Sequence, residues 1–198
     1  MQEGTQRRSN RDRSEATRAA LIAAGRVLFV ERPYGEIGTP EIVGKAGVTR
    51  GALYHHFADK QALFAAVVDA ESAAVAVEIE QSSPQGTDPV EALLAGGRAY
   101  LDAMAMPGRT RLLLLDAPAV LGHAEAGAID MRHSARTLHD GLGMAIAAGV
   151  MPPLPLGPLT QVISSAFDRA ALAIEAGASR TEWENVLESL LSGLAGGR

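Results

Sequence analysis

The sequence predicts an all-α protein, with a small amino-terminal unit of three helices followed by a larger helical body. Aromatic residues are only 4% of the 198-residue chain, while alanine and leucine are abundant, a composition that favours helix packing. No run alternates with period two for long enough to read as a strand. Residues 39–64, TPEIVGKAGVTRGALYHHFADKQALF, read as two short helices joined by a glycine turn, then the capped start of a third.

Residues 1–13 are polar and aperiodic, and are expected to form a flexible basic arm. Ser14 and Glu15 open a helix carrying Leu21, Ile22, Gly25, Leu28 and Phe29 on one face. Pro33 ends it, and Tyr34 and Ile37 pack back. Thr39 and Pro40 start the next helix, with a hydroxyl at the cap and a proline at the first helical position. Ile42, Val43 and Ala46 form its inner face. Gly47 gives the tight turn, because it takes positive φ without a Cβ penalty. Thr49 caps a helix with Leu53 and Phe57 inward and Arg50, Gly51, Ala52, Tyr54, His55 and His56 outward. That is a helix-turn-helix with donors, an aromatic ring and small residues on its free face. Asp59 caps a long helix to about Glu80, with Leu63, Phe64, Val67, Val68 and Val75 inward, before the turn cluster Ser82-Ser83-Pro84-Gln85-Gly86.

The body opens with a helix from about Pro89 to Met106. Arg109 to Leu121 follows, with Leu112 to Leu115 expected to be buried on every side and Pro118 a break or kink. A helix is expected over Ala126–Ala148, and Met151 to Pro158 as a non-helical connector. The last two helices are strongly patterned. Leu159, Val162, Ile163, Ala166, Phe167, Ala170 and Ile174 line one, and Trp183, Val186, Leu187, Leu190, Leu191 and Leu194 the other. Capping boxes Ser179/Glu182 and Thr181/Glu184 precede the second. Part of each stripe must pack on its own body. The rest suits a four-helix contact with a symmetric copy, because a single helix-turn-helix reads too few bases to be selective alone. Residues 159–195 are therefore the expected dimer helices, with Val162, Ile163, Phe167, Ile174, Trp183, Leu187, Leu190 and Leu191 at the interface.

Residues 1–60 carry ten Lys/Arg against seven Asp/Glu, and the remainder eight against sixteen. Positive charge gathered at one end lets a net acidic chain meet nucleic acid. The chain has no cysteine, which excludes disulfides, thiolate zinc sites and cysteine nucleophiles. No apolar run reaches the ~18 residues of a membrane span, and no apolar stretch follows Arg7-Arg8 as in a secretion signal. A cytoplasmic location is expected. Ser164-Ser165 has no histidine placed near it in sequence, and there is no glycine-rich phosphate loop, so neither catalysis nor a cofactor is expected. His133, Arg136, His139 and Asp140 lack tight ligand spacing, so no metal site is expected.

The segment TPEIVGKAGVTRGALYHHFADKQALF resembles the DNA-binding segment of the TetR (tetracycline repressor) family of bacterial regulators. The resemblance covers residues 14 to about 64 well, and only helix arrangement beyond. It implies a DNA-binding head at residues 14–60 and an effector-binding, dimerising body at 61–198. It also implies that Thr39 holds a phosphate and that Thr49, Arg50 and Gly51 lie nearest the base edges. Arg50 then pairs with a guanine or a phosphate, Ala52 meets a thymine methyl, Tyr54, His55 and His56 donate to phosphates, and Lys60 anchors the DNA backbone. Gly38 departs from the family's usual small hydroxyl residue, which removes one phosphate contact. Pro33 stands where a glycine is common and stiffens the turn.

The implied function is a homodimeric repressor on a palindromic operator in double-stranded DNA, released by an unknown small-molecule effector. Met104, Met106, Leu112 to Leu115, Val120 and Met144 suggest an apolar cavity, with His123, His133, His139, Arg109 and Arg111 as polar fixtures. Methionine and leucine at helical spacing equally suit plain core. Two alternatives stay open: a ligand-independent DNA-binding protein, and a helical enzyme domain fused to a DNA-binding head.

Overall fold

A computed structural model describes residues 3–82 and 86–196, and all regular structure among them is helical. Helix α1 runs Glu3–Glu31, α2 Thr39–Ala46, α3 Arg50–His56 and α4 Lys60–Gln81. In the body, α5 is Pro89–Met104. A π-helical turn over Arg111–Asp116 leads into α6 (Ala117–Leu121). Helices α7 (His123–Arg132), α8 (Ser134–Ala147), α9 (Leu156–Glu175) and α10 (Arg180–Gly196) complete it.

Several boundaries differ from expectation. Helix α1 already holds from Glu3, so Ser14 lies inside it, not at its start. Glu, Gln and Arg are good helix formers, and Arg11 pairs with Glu15 one turn on at 2.9 Å. Residues 1–2 of the expected arm and 83–85 of the expected turn cluster lie outside the described residues. The cap of α2 is Gly38 in extended conformation, with Thr39 the first helical residue. Pro118 neither breaks the chain nor starts a fresh helix: it follows the π-helical turn directly, and the backbone stays helical through it to Leu121. The leucine quartet is not buried on every side: Leu112 is fully buried and Leu113 and Leu114 pack partly buried against the cores, while Leu115 is 48% exposed. The helix expected over 126–148 breaks at His133 (φ −128°, ψ −102°). There the Asp130 carboxylate accepts from Ser134 Oγ at 2.5 Å and from the Ala135 backbone, restarting the chain as α8. Leu156 to Pro158 of the expected connector form the first turn of α9, where N–H groups are free in any helix.

Helix α4 belongs to two cores. Its first half packs Leu63, Phe64 and Val67 against Leu21 and Phe29 of α1, Ile42 of α2 and Leu53 of α3. Phe29 and Phe64 meet edge to face at 5.0 Å, and Tyr34 covers Phe64 at 5.0 Å. Its second half places Val75 with Leu101, Met104, Ile163, Phe167 and Leu191. A smaller cluster of Leu93, Leu142, Ala145 and Met151 lies where α5 meets α8. The linking helix is therefore continuous with head and body alike.

A cluster of polar contacts around Glu71 fixes the head to the body. Glu71 of α4 is buried and takes two bonds from Arg26 of α1, at 2.5 and 3.2 Å. Arg109, 3% exposed, donates to the same carboxylate at 3.2 Å, to Glu78 at 3.0 Å and to the Ala103 carbonyl at 2.8 Å. Next to it, Arg111 donates to the Phe29 and Val30 carbonyls at 2.5 and 2.9 Å, capping the carboxyl end of α1 with positive charge. Gly108 brings this turn against α1: its φ is +76°, and a Cβ there would lie 2.6 Å from the Val30 carbonyl oxygen. Glu71→Ala leaves Arg109 buried with a partner missing. It is expected to lower unfolding free energy by about 3 kcal/mol, read as a lower urea midpoint at unchanged slope; an unshifted midpoint would show the cluster to be structurally idle.

Candidate DNA-binding face and ligand cavity

Helices α2 and α3 are set by their ends. Gly47 closes α2 in the left-handed region at φ +66°, as its lack of a Cβ allows. Thr49 Oγ1 accepts from Ala52 N at 3.2 Å and starts α3. Leu53 at zero exposure and Phe57 at 5% turn the helix's inner side to the core. The outer side then presents Arg50, Gly51, Tyr54 and His55 exposed, with Ala52 and His56 half-buried beside them. The Arg50 guanidinium lies 5.5 Å from the Tyr54 ring centre, and the His55 and His56 rings meet at 5.2 Å. The Tyr54 phenol is held below its ordinary range, first by its bond with Arg50 and then by one with Thr39. The structure thus gathers Thr39, Thr49, Arg50, Gly51, Ala52, Tyr54, His55 and His56 on one face.

Lys60 differs from expectation. Its ammonium donates to the Tyr34 and Ile37 carbonyls at 2.9 Å each and lies 3.8 Å from the Tyr34 ring centre. Desolvation lowers its pKa. Its main bonds close the α1–α2 connection rather than reach outward. Sequence reasoning also missed Arg13, Ser14 and Thr17 of α1, which share a shallow groove with Gly51, Ala52, His55 and His56. The signal is the polar amino-terminal part of α1: Arg13 falls in the segment that reads as an arm, while Ser14 and Thr17 fall in the expected helix without a role.

In the body, a cavity of about 290 Å³ lies among α4, α5, α7, α8 and α9. Leu93, Leu138, Met144 and Phe167 supply apolar wall, and Gly96 and Gly97 leave room on α5. A Cβ on Gly97 would meet the Phe167 ring at 2.6 Å. Tyr100 and Asp130 provide polar points. The Tyr100 hydroxyl donates to Asp168 at 2.6 Å, and burial raises the Tyr100 pKa well above its usual value. Burial also pushes Asp168 up to about 6, against the Tyr100 bond and with the help of the Asp130 charge, and raises Asp130 itself. Of the residues expected around a cavity, Met144 alone is there. Met104 and Leu112 are buried in the two cores, and Val120 packs at the edge of the head core. Leu115 and His123 are exposed, and His133 bonds to Asp69 at 3.1 Å. Arg109 and Arg111 are committed to the head–body junction.

The model of the tetracyclin repressor-like C-terminal domain matches residues 90–194, and that of bacterial regulatory proteins, tetR family, matches residues 21–67. The chain belongs to the TetR family. It is a DNA-binding transcriptional regulator with the family's helix-turn-helix head and helical carboxyl-terminal domain. A TetR-family regulator of known structure from Pectobacterium atrosepticum is 32% identical, with TM-score 0.72, covering 93% of this chain and 96% of that one. The transcriptional activator FasR of Mycolicibacterium smegmatis is 33% identical over 99 residues, 50% of this chain and 45% of that protein. RolR, in complex with resorcinol, shares the fold at TM-score 0.73 and 20% identity, covering 93% of this chain and 90% of that one. The chain spans about half or less of the length of the curated relatives it matches. Among the described residues, no helix is long and apolar enough to cross a membrane.

In this TetR-family body the stripes of α9 and α10 divide. Ile163, Phe167, Leu187 and Leu191 are buried in their own core, with Ile174 and Trp183 packed at its edge. Val162, Val186 and Leu190 stay 66%, 54% and 50% exposed. Inside the body, the Asp168 carboxyl holds its proton more tightly folded than unfolded. Its contribution to stability is complete below its ordinary 3.8 and is lost as pH rises through about 6. Asp168→Asn keeps an acceptor for Tyr100 and removes this loss. Urea unfolding of the variant, relative to the parent, is expected to gain on the order of 2 kcal/mol between pH 4 and pH 7; parallel curves would assign the pH dependence elsewhere.

Proposed function

We propose that the protein is a homodimeric repressor of the cytoplasm that leaves a palindromic operator when a small, largely apolar effector fills the cavity among α4, α5, α7, α8 and α9. One observation carries the reading: the helix that starts in the DNA-binding head ends as cavity wall. Ile79 and Glu80 of α4 line the cavity, while Leu63 and Phe64 of the same helix sit in the head core. Midway, Asp69 accepts from Arg132 at 2.8 Å and contacts His133 at 3.1 Å. These belong to the α7–α8 joint, whose neighbours Asp130 and Ser134 face the cavity. A ligand that favours one setting of this joint biases the tilt of α4, and operator affinity changes by its differential binding to the two states.

On DNA, α3 enters the major groove with Thr49, Arg50, Gly51 and Ala52 nearest the bases, while Thr39, Tyr54, His55 and His56 hold phosphates. The third Lys60 donor remains for a phosphate. Val162, Val186 and Leu190 meet a second copy, and two heads then reach successive major grooves about 34–36 Å apart. The resorcinol complex of RolR supports a body of this fold as a receptor for small molecules. No catalytic role is proposed. FasR, an activator, favours a second reading in which the bound protein assists transcription; deleting the gene raises target transcripts for a repressor and lowers them for an activator.

Arg50→Ala and Tyr54→Ala are each expected to weaken operator binding at least about tenfold in gel shift, with a steep log–log salt slope for the parent. Unchanged binding in both would remove α3 as the reading helix. Val162→Asp with Leu190→Asp is expected to give a folded monomer by analytical ultracentrifugation, with operator affinity lost. A dimer that persists would place the interface elsewhere.

A further inference from the structure

We propose that the cavity selects an amphipathic organic cation, a protonated amine or quaternary ammonium on an apolar body. This rests on the effector-release reading and names the chemistry of its ligand. Among the described residues, the cavity's acidic and basic lining is of one sign: Glu80 from α4, Asp130 from α7 and Asp140 from α8, with no lysine, arginine or histidine in the wall. The remainder is apolar or neutral. A carboxylate ligand there meets like charge in a low-polarity space, and a neutral ligand supplies Asp130 with no counter-charge.

The three carboxylates are not equally satisfied by the protein. At the rim, Glu80 faces Arg136 at 3.6 Å and Asp140 faces His139 at 3.4 Å, all in partly or well exposed positions. Asp130 lies deeper. Its bonds come from the Ser134 hydroxyl and the Ala135 backbone, neither of them charged, and His133 nearby is committed to Asp69. Behind Tyr100 stands a second carboxyl, Asp168, which accepts from the tyrosine hydroxyl. Deep in the cavity, then, acceptors lack a counter-cation. Tyr100 and Phe167 stand edge to face at 6.0 Å beside them, and both line the cavity; aromatic faces attract organic cations and not anions. Burial holds Asp130 toward its protonated form, and an entering cation reverses that preference, so uptake releases protons.

The test uses the full chain and three probes with one apolar body: 4-phenylbutylamine, 4-phenylbutan-1-ol and 4-phenylbutanoate. By calorimetry at pH 7.5, the amine is expected to bind at least about tenfold tighter than the alcohol, and the carboxylate most weakly. Asp130→Asn is expected to shrink the amine's advantage to about threefold or less with the alcohol's affinity unchanged. Because Asp130 also starts α8, the exposed pair Glu80→Gln with Asp140→Asn provides a second variant, expected to lose about two- to threefold for the amine alone. Amine binding with proton uptake, or an alcohol or carboxylate that binds as well as the amine, overturns the cation assignment. If that alcohol or carboxylate still frees the operator, effector release stands without it. If the amine binds as expected and the operator complex persists, the cation site stands and the effector-release reading falls.

Discussion

A buried carboxylate cannot stay ionised without partners, and Glu71 finds them on two separate stretches of chain. Arg26 comes from α1 in the head, and Arg109 from the turn that follows α5 in the body. Removing either leaves a charge in a place that water does not reach, so the three positions constrain one another. Apolar surfaces slide at little cost; a two-arginine, one-carboxylate cluster has far fewer acceptable geometries. Arg111 adds a second lock by holding the carbonyls at the end of α1. The orientation of the DNA-binding head on its body is thus set by directional polar contacts, with the cores on either side free to supply bulk stability.

The same junction explains why the leucine run after α5 was misplaced by pattern alone. Leu112 leaves the body and enters the head core beside Phe29 and Phe64, because Gly108 lets that turn lie directly on α1. No periodicity within residues 109–121 encodes this. What was legible was local: the glycine and threonine that punctuate α2 and α3, the Asp59 cap bonded to Ala62 N at 2.7 Å, and the inward Leu53 and Phe57. Those features depend on neighbours within one turn.

The cavity was illegible for the opposite reason. It is an absence, bounded where Gly97 of α5 admits the Phe167 ring of α9 some seventy residues away and where Gly96 faces Ile79 of α4. A helical glycine reads in sequence as a weak propensity, and nothing nearby says which distant side chain its bare backbone admits. Lys60 misled in a similar way, since the carbonyls of Tyr34 and Ile37 that hold it lie over twenty residues upstream. The divided stripes of α9 and α10 show the intermediate case. Their apolar period was plain, but which residues face inward depends on where the two helices cross the body.

The uneven charge has a consequence for how the molecule arrives at its target. Residues 1–60, which hold α1 to α3, carry about +3 and the rest about −8 within a total of −5. The chain is therefore a large electric dipole with its positive pole at the reading face. In the field of a polyanion such a body experiences a torque before it experiences contact, and the acidic end is repelled from the duplex. Collisions that begin body-first are discouraged, so the search along DNA is conducted mostly in one posture. That bias acts over roughly a Debye length, about 8 Å at physiological salt, which confines it to the last few ångströms of approach.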